Sequence, residues 1–222
     1  MRTFKFVFTA MALLISGVAS AQKGSQVTSD EPRQLSEGWN MVYVQFAPTR
    51  EQSTYELGGQ TLKGNLNMTG LAVGYAHAFG VSSSMPLFVQ VGGELKYSFN
   101  KKEDHGDSFV SLKVPVSLTY DVPLTERFDL LPFAGIYGRY NVSGTTKDSN
   151  GNDVNLFEKR TDEAGGVTFE RFQLGWQAGC NLIYKQRYMI GASYSRDISK
   201  LVQTTGIKYT TFAFNISLGL LF

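Results

Sequence analysis

From Thr211 to Phe222 the chain alternates without a break: Phe212, Phe214, Ile216, Leu218, Leu220 and Phe222 stand on one parity, Thr211, Ala213, Asn215, Ser217 and Gly219 on the other. A period of two sustained over a dozen residues defines a β-strand with one apolar face. In a soluble sheet a second layer would cover that face, and no stretch of this chain carries the amphipathic-helix pattern that could supply one. The partner left for the face is lipid.

The same pattern recurs upstream. Between Gly38 and Pro48, Val42, Val44 and Phe46 oppose Met41, Tyr43 and Gln45, with either parity able to face out. From Leu66 to Phe79, Leu71, Val73, Tyr75 and Phe79 oppose Gly70, Ala72, Gly74 and Ala76, and from Leu87 to Asn100 the charges Glu94 and Lys96 keep to one face. Ser108 to Val122 alternates Val110, Leu112, Val114, Val116, Leu118 and Tyr120 with Ser111, Lys113, Ser117 and Thr119; Pro115 on the inward parity predicts a bulge or local irregularity. Arg127 to Val142 places Arg139 and Asn141 inward, and Thr168 to Tyr184 and Tyr188 to Arg196 complete the series. With the terminal strand this makes eight.

Links near 81–86, 123–126 and 185–187 are short, whereas Thr49–Asn65, Ser143–Val167 and Asp197–Thr205 are long. Short turns alternating with long loops, all strands alternating and 23 glycines in the chain, predict an all-β fold: an eight-stranded antiparallel up-and-down transmembrane β-barrel over 38–222, with both termini on the short-turn, periplasmic side. Mean hydropathy is −0.14, which decides nothing, because inward residues of a barrel cancel its lipid-facing ones.

Residues 1–21 read as a signal peptide. Arg2 and Lys5 precede the apolar run Phe6 to Val18, and Ala19-Ser20-Ala21 is a small-residue cleavage site. Residues 22–37 are polar and aperiodic and read as a flexible periplasmic segment. Loss of Arg2 and Lys5 leaves 19 basic residues against 19 acidic, so no basic surface for nucleic acid is expected. Cys180 is the single cysteine, excluding an intramolecular disulfide, and its place on an apolar parity makes it a small hydrophobe.

Two sets of residues follow from the parity. Tyr120, Tyr184 and Tyr188, near the short turns, are expected in one aromatic girdle, and Tyr97 and Phe99 in the opposite one. Inward Glu94, Lys96, Lys113, Arg139 and Arg171, with Gln90, Gln173 and Gln177, are expected to form a polar network that plugs the lumen. A turn centred between residues 103 and 104 sets Glu94 opposite Lys113, and confined charges repay their desolvation only when paired. Chemistry has weaker support: His77 has no serine two residues on, and His105 sits in a polar loop. Asp148 to Asp153 opens like a calcium loop but lacks the sixth-position glycine and the closing glutamate, so no metal or cofactor is expected; Asn150-Gly151 reads as a type I′ turn.

The leader, the eight alternating strands and the ending Phe214-x-Ile216-x-Leu218-x-Leu220-x-Phe222 resemble the small outer-membrane β-barrel domain family, the OmpX-like and OmpA-like barrels and the PorT-like "porin family". The resemblance covers 38–222 and implies the outer membrane of a Gram-negative-type bacterium as location. It implies outer-membrane lipid as surroundings and the barrel-assembly machinery as partner during biogenesis, which would read Phe214, Ile216, Leu218, Leu220 and Phe222. The expected function is non-enzymatic, a rigid platform presenting its loops to an unknown binding partner. The alternatives are a small pore for ions or solutes and, further off, a lipid-modifying enzyme.

Overall fold

Branched and aromatic residues on one parity of each segment favour extended backbone, and small or polar residues on the other let the sheet curl. The computed structural model describes residues 38–57, 60–81, 85–100, 106–147, 152–157, 170–199 and 207–222, with side chains for all of these except 51–66 and 207–209. The segments expected as leader and periplasmic lead-in, 1–21 and 22–37, lie outside the described residues, as does His105.

The strands are β1 (Trp39–Phe46), β2 (Thr49–Leu57), β3 (Gln60–Gly80), β4 (Leu87–Phe99), β5 (Ser108–Tyr120), β6 (Val122–Thr125), β7 (Phe128–Lys147), β8 (Asp153–Asn155), β9 (Phe172–Tyr184), β10 (Tyr188–Asp197) and β11 (Ile207–Leu221). β1 and β2 keep one register against β3 and one against β11, so they are two halves of a single barrel strand. The break between them is Pro48, which has no N–H to give; its carbonyl still accepts from Phe214 N at 3.2 Å, and Ala47 N donates to Gly70 O at 2.8 Å. β6 carries β5 into its hairpin with β7, and β8 folds back on β7. The result is a closed, antiparallel, eight-stranded barrel. Closure is made by β1 and β11, where Asn40 and Phe222 exchange backbone hydrogen bonds of 2.9 and 3.0 Å.

Two local expectations change. The stretch Thr49–Asn65 is no open loop: β2 and β3 stay paired up to Leu57 opposite Gln60, and Gly58-Gly59 lie outside the described residues. β7 likewise runs past Val142 to Lys147 and pairs with β8, Lys147 opposite Asp153; the type I′ turn expected at Asn150-Gly151 lies outside the described residues. At Pro115 the expectation holds as a local irregularity without a register shift. The proline leaves a gap in the β4–β5 ladder, between Val91 opposite Val116 and Glu94 opposite Lys113, while its pairing with Tyr137 on β7 is continuous. The bulge lies higher, where Val110 faces Ser143 but Ser111 faces Asn141, leaving Val142 as the extra residue.

The parity of β1 is also settled: Met41 and Gln45 are buried inside and Val44 and Phe46 are exposed outside. A membrane strand needs about 10 residues to cross. β3, with 21 residues, and β7, with 20, therefore project well beyond the apolar band at the long-loop end.

Candidate functional site

The lumen is built in two layers. At the short-turn end, inward positions carry large apolar side chains: Trp39 and Met41 from β1, Phe88 from β4, Leu131 from β7, Ile183 from β9, Met189 from β10 and Leu221 from β11 form one buried cluster with Ala76 and Ala78. The Trp39 and Phe88 rings meet at 4.4 Å, and Ile183 is fully buried. This is an ordinary hydrophobic core laid across a barrel, and it closes the lumen from below. It was legible in the parity, since Ile183 and Leu131 share the inward face with Asn181 and Arg139, but an expectation of a polar lumen passes over it.

Above the floor the layer is polar. Asp197 on β10 accepts from Arg139 Nη2 on β7 at 2.5 Å and from the Tyr137 hydroxyl at 2.7 Å. Arg139 also donates to Gln173 Oε1 at 3.2 and 3.0 Å, an oxygen that takes Asn141 Nδ2 at 2.7 Å. Lys96 Nζ donates to Thr49 Oγ1 at 2.7 Å, and the Tyr43 hydroxyl to Glu94 Oε2 at 3.3 Å. Lys113 Nζ stands 4.6 Å over the Tyr137 ring. The Tyr43 and Tyr137 rings lie flat against Gly74 and Gly175, where any Cβ would overlap them. Glycine at those two positions is what admits the tyrosines to the wall.

The structure brings Glu94, Lys96, Lys113 and Arg139 together in this layer, all but Arg139 fully enclosed. The register sets Glu94 opposite Lys113, as the turn centre requires. The ion pair expected between them is not formed: among the described residues Arg139 with Asp197 is the one salt bridge, and Glu94 is met by Tyr43 instead. Facing backbone positions fix Cα separation, while long side chains reach elsewhere. Arg171 is a second correction. It precedes β9 at the long-loop rim, donates to the Val142 carbonyl at 2.9 Å and to that of Asn141 at 3.3 Å, and stacks on Phe157 at 4.6 Å. Its task is to satisfy carbonyls that the bulge takes out of the ladder. Gln173 joins as expected, whereas Asp197, Tyr137 and Tyr43 are the members that the sequence reading missed.

In the turn layer, between β5 and β6, burial and then the neighbouring Asp129 push the Asp121 carboxyl up to about 6. Its Oδ1 is buried with no hydrogen-bond partner, and its N–H is held by Pro86 O at 2.8 Å.

On the outside, Tyr120, Tyr184 and Tyr188 stand exposed at the short-turn end, where Tyr184 and Tyr188 face one another and Phe128 joins Tyr184 at 5.0 Å. Tyr97 and Phe99 stack at 5.6 Å toward the other end. Trp176, Tyr194 and Phe212 continue a row of rings across β9, β10 and β11, spaced 5.6 and 6.4 Å, which the sequence reading did not assign. Phe214, Ile216 and Leu218 are exposed on the same outer face. His77 is bound through Nδ1 to Asn40 Oδ1 at 2.8 Å and lies edge-on to Phe79 at 4.2 Å; Asn40 also accepts from the Tyr75 hydroxyl at 2.6 Å. That arrangement gives a polar anchor at the end of the strand, with His77 and Tyr75 sharing one acceptor.

Among solved structures, the chain is similar to Ail, the attachment invasion locus protein of Yersinia pestis, at 16% identity over 82% of this chain and 99% of that one, with a TM-score of 0.43. It is similar to Neisserial surface protein A at 14% identity over 82% and 97%, TM-score 0.44, and to the outer membrane protease OmpT from Escherichia coli at 9% over 89% and 99%, TM-score 0.45. No curated protein matched. The family model for the outer membrane protein beta-barrel domain matches residues 9–222, nearly the whole chain, and with the closed eight-stranded barrel described above the chain belongs to that outer-membrane family.

Proposed function

We propose that this protein is a non-enzymatic surface platform of the outer membrane: a sealed barrel that holds paired strand extensions outside the cell for a binding partner. The observation that carries this reading is the floor. Seven large apolar side chains from six strands cross the lumen at one level, with Trp39 only 2% exposed and Ile183 at 0%, which leaves no route for a solute. What remains for function is the part above the membrane, where β2 with β3 and β7 with β8 continue as paired ribbons. Ribbons hold a binding surface at lower entropic cost than free loops of equal length.

Two measurements test it together. Purified barrel in planar bilayers should show no steady single-channel current. Deleting Ser149 to Glu163 should leave a heat-modifiable, folded barrel that no longer retains the partners captured by the intact protein. Steady conductance in the wild type, or equal capture by the trimmed barrel, would remove the basis of the proposal.

A further inference from the structure

The short turns of the barrel carry their cations on one side. The link between β3 and β4, residues 81–86, has no charged residue, whereas Arg127 ends the link into β7, and Lys185 and Arg187 belong to the turn between β9 and β10. These two turns are joined, Lys185 N donating to Arg127 O at 2.7 Å, so the three residues stand at the feet of adjacent strands spaced by about 4.8 Å. Each is next in sequence to an outward ring: Arg127 to Phe128, Lys185 to Tyr184, Arg187 to Tyr188. The register sets the rings in one row, Phe128 opposite Tyr184 and Tyr184 opposite Tyr188, and all three are exposed. One rung further up the same face is aliphatic: Leu130, Leu182 and Ile190 again face one another.

Cation, ring and aliphatic side chain follow in that order from the rim toward the middle of the barrel wall. An anionic lipid has the same order, a phosphate, a glycerol backbone at the interface, then hydrocarbon. The two cations of the β9–β10 turn are held at the level this requires. Lys185 Nζ stands 5.6 Å from the centroid of the Tyr184 ring and Arg187 Cζ 5.9 Å from that of Tyr188, within the range of cation–π attraction. Lys185 does so from left-handed backbone, φ 49°, where asparagine or glycine would be less strained. We propose that this face binds an anionic phospholipid of the leaflet at the short-turn end, its phosphodiester at Arg127, Lys185 and Arg187 and its acyl chains along the rung of Leu130, Leu182 and Ile190. Glu126, exposed beside Arg127, weakens the attraction on that flank and leaves Lys185 and Arg187 as the principal contacts. The rings and the aliphatic rung contribute only to a ligand that carries chains, which sets a lipid apart from free phosphate. A zwitterionic lipid brings a headgroup ammonium of the same sign as the site.

The test counts lipids that stay on the full barrel in native mass spectrometry, with phosphatidylglycerol and phosphatidylethanolamine of identical acyl chains offered in equal amounts. Phosphatidylglycerol should be retained at least about tenfold more often, and each of Lys185→Asn, Arg187→Gln and Arg127→Gln should lower that preference by up to about fivefold. Asparagine suits left-handed backbone, so Lys185→Asn keeps its turn and carries the test if another variant does not fold. Glu126→Gln should raise the preference, while Lys147→Gln, at the opposite end of the barrel, should leave it unchanged. Soluble glycerol 3-phosphate should not displace the lipid. Equal retention of the two lipids by wild type, an equal loss from Lys147→Gln, or displacement by glycerol 3-phosphate would overturn the proposal. A preference that emerges only after deletion of residues 22–36 would overturn it too, since the acidic Asp30 and Glu31 of that segment would then be the occupant.

Discussion

Replacing Asp197 with alanine tests the energetic centre of the lumen. The carboxylate is 5% exposed and accepts two short hydrogen bonds, from Arg139 at 2.5 Å and Tyr137 at 2.7 Å. Bonds to a charged group contribute about 1.5 to 3 kcal/mol each, and removing one partner of a buried pair costs about 3 to 5 kcal/mol because the other charge is stranded. Arg139 keeps two bonds to Gln173 Oε1, and the adjoining cavity lets water approach, which places the loss at the lower end, about 2 to 4 kcal/mol. Asp197→Asn retains an acceptor for Tyr137 and should cost about half as much. In an Arg139→Met background, Asp197→Ala should cost at least about 1.5 kcal/mol less, since no guanidinium remains to be stranded. The assay is urea unfolding in lipid vesicles followed by tryptophan emission. It reads both lumen and surface, because Trp39 sits in the floor and Trp176 on the outer face. An Asp197→Ala midpoint matching wild type, or an equal loss with and without Arg139, would refute the reasoning.

Trp39→Ala should remove the ring packed on Phe88, cost about 3 to 5 kcal/mol and open a small steady conductance; a folded variant that stays electrically silent would show that the remaining floor seals alone. Lys185 and Gln186 both take left-handed backbone, φ 49° and 52°, in a tight turn closed by Arg187 N to Tyr184 O at 3.1 Å, so Gln186→Gly should raise stability by about 1 kcal/mol, and a lower midpoint would contradict the turn geometry. Asp121, with its carboxyl raised to about 6 from an ordinary 3.8, contributes stability that is full below pH 3.8 and lost as pH rises through 6. Asp121→Asn should therefore flatten the pH profile over that window and stand above wild type at pH 8, as a denaturation series across pH 3 to 8 would record.

Strand number, strand order and the facing of nearly every residue were legible in the sequence, because the β period is local: Leu118 and Thr119 point opposite ways whatever surrounds them. The Glu94–Lys113 register was legible for the same reason, since a hairpin's pairing follows from its turn centre. The ends of strands were not. Thr49–Asn65 and Ser143–Lys147 lack strong alternation above the lipid, and only pairing with neighbouring strands keeps them extended.

Three-dimensional closure decided what the lumen does. Parity states which side chains enter the barrel but not how far around its circumference they reach. Asp197 on β10 meets Arg139 on β7 across the whole width of β9, a partnership that no pair of adjacent strands announces. The same closure gathers Trp39, Phe88, Leu131 and Ile183, which are spread over 145 residues of chain, at one height to make the floor. Local alternation makes a barrel wall; whether that wall encloses a pore or a plug depends on which inward residues the tilt and stagger of the strands bring to the same level.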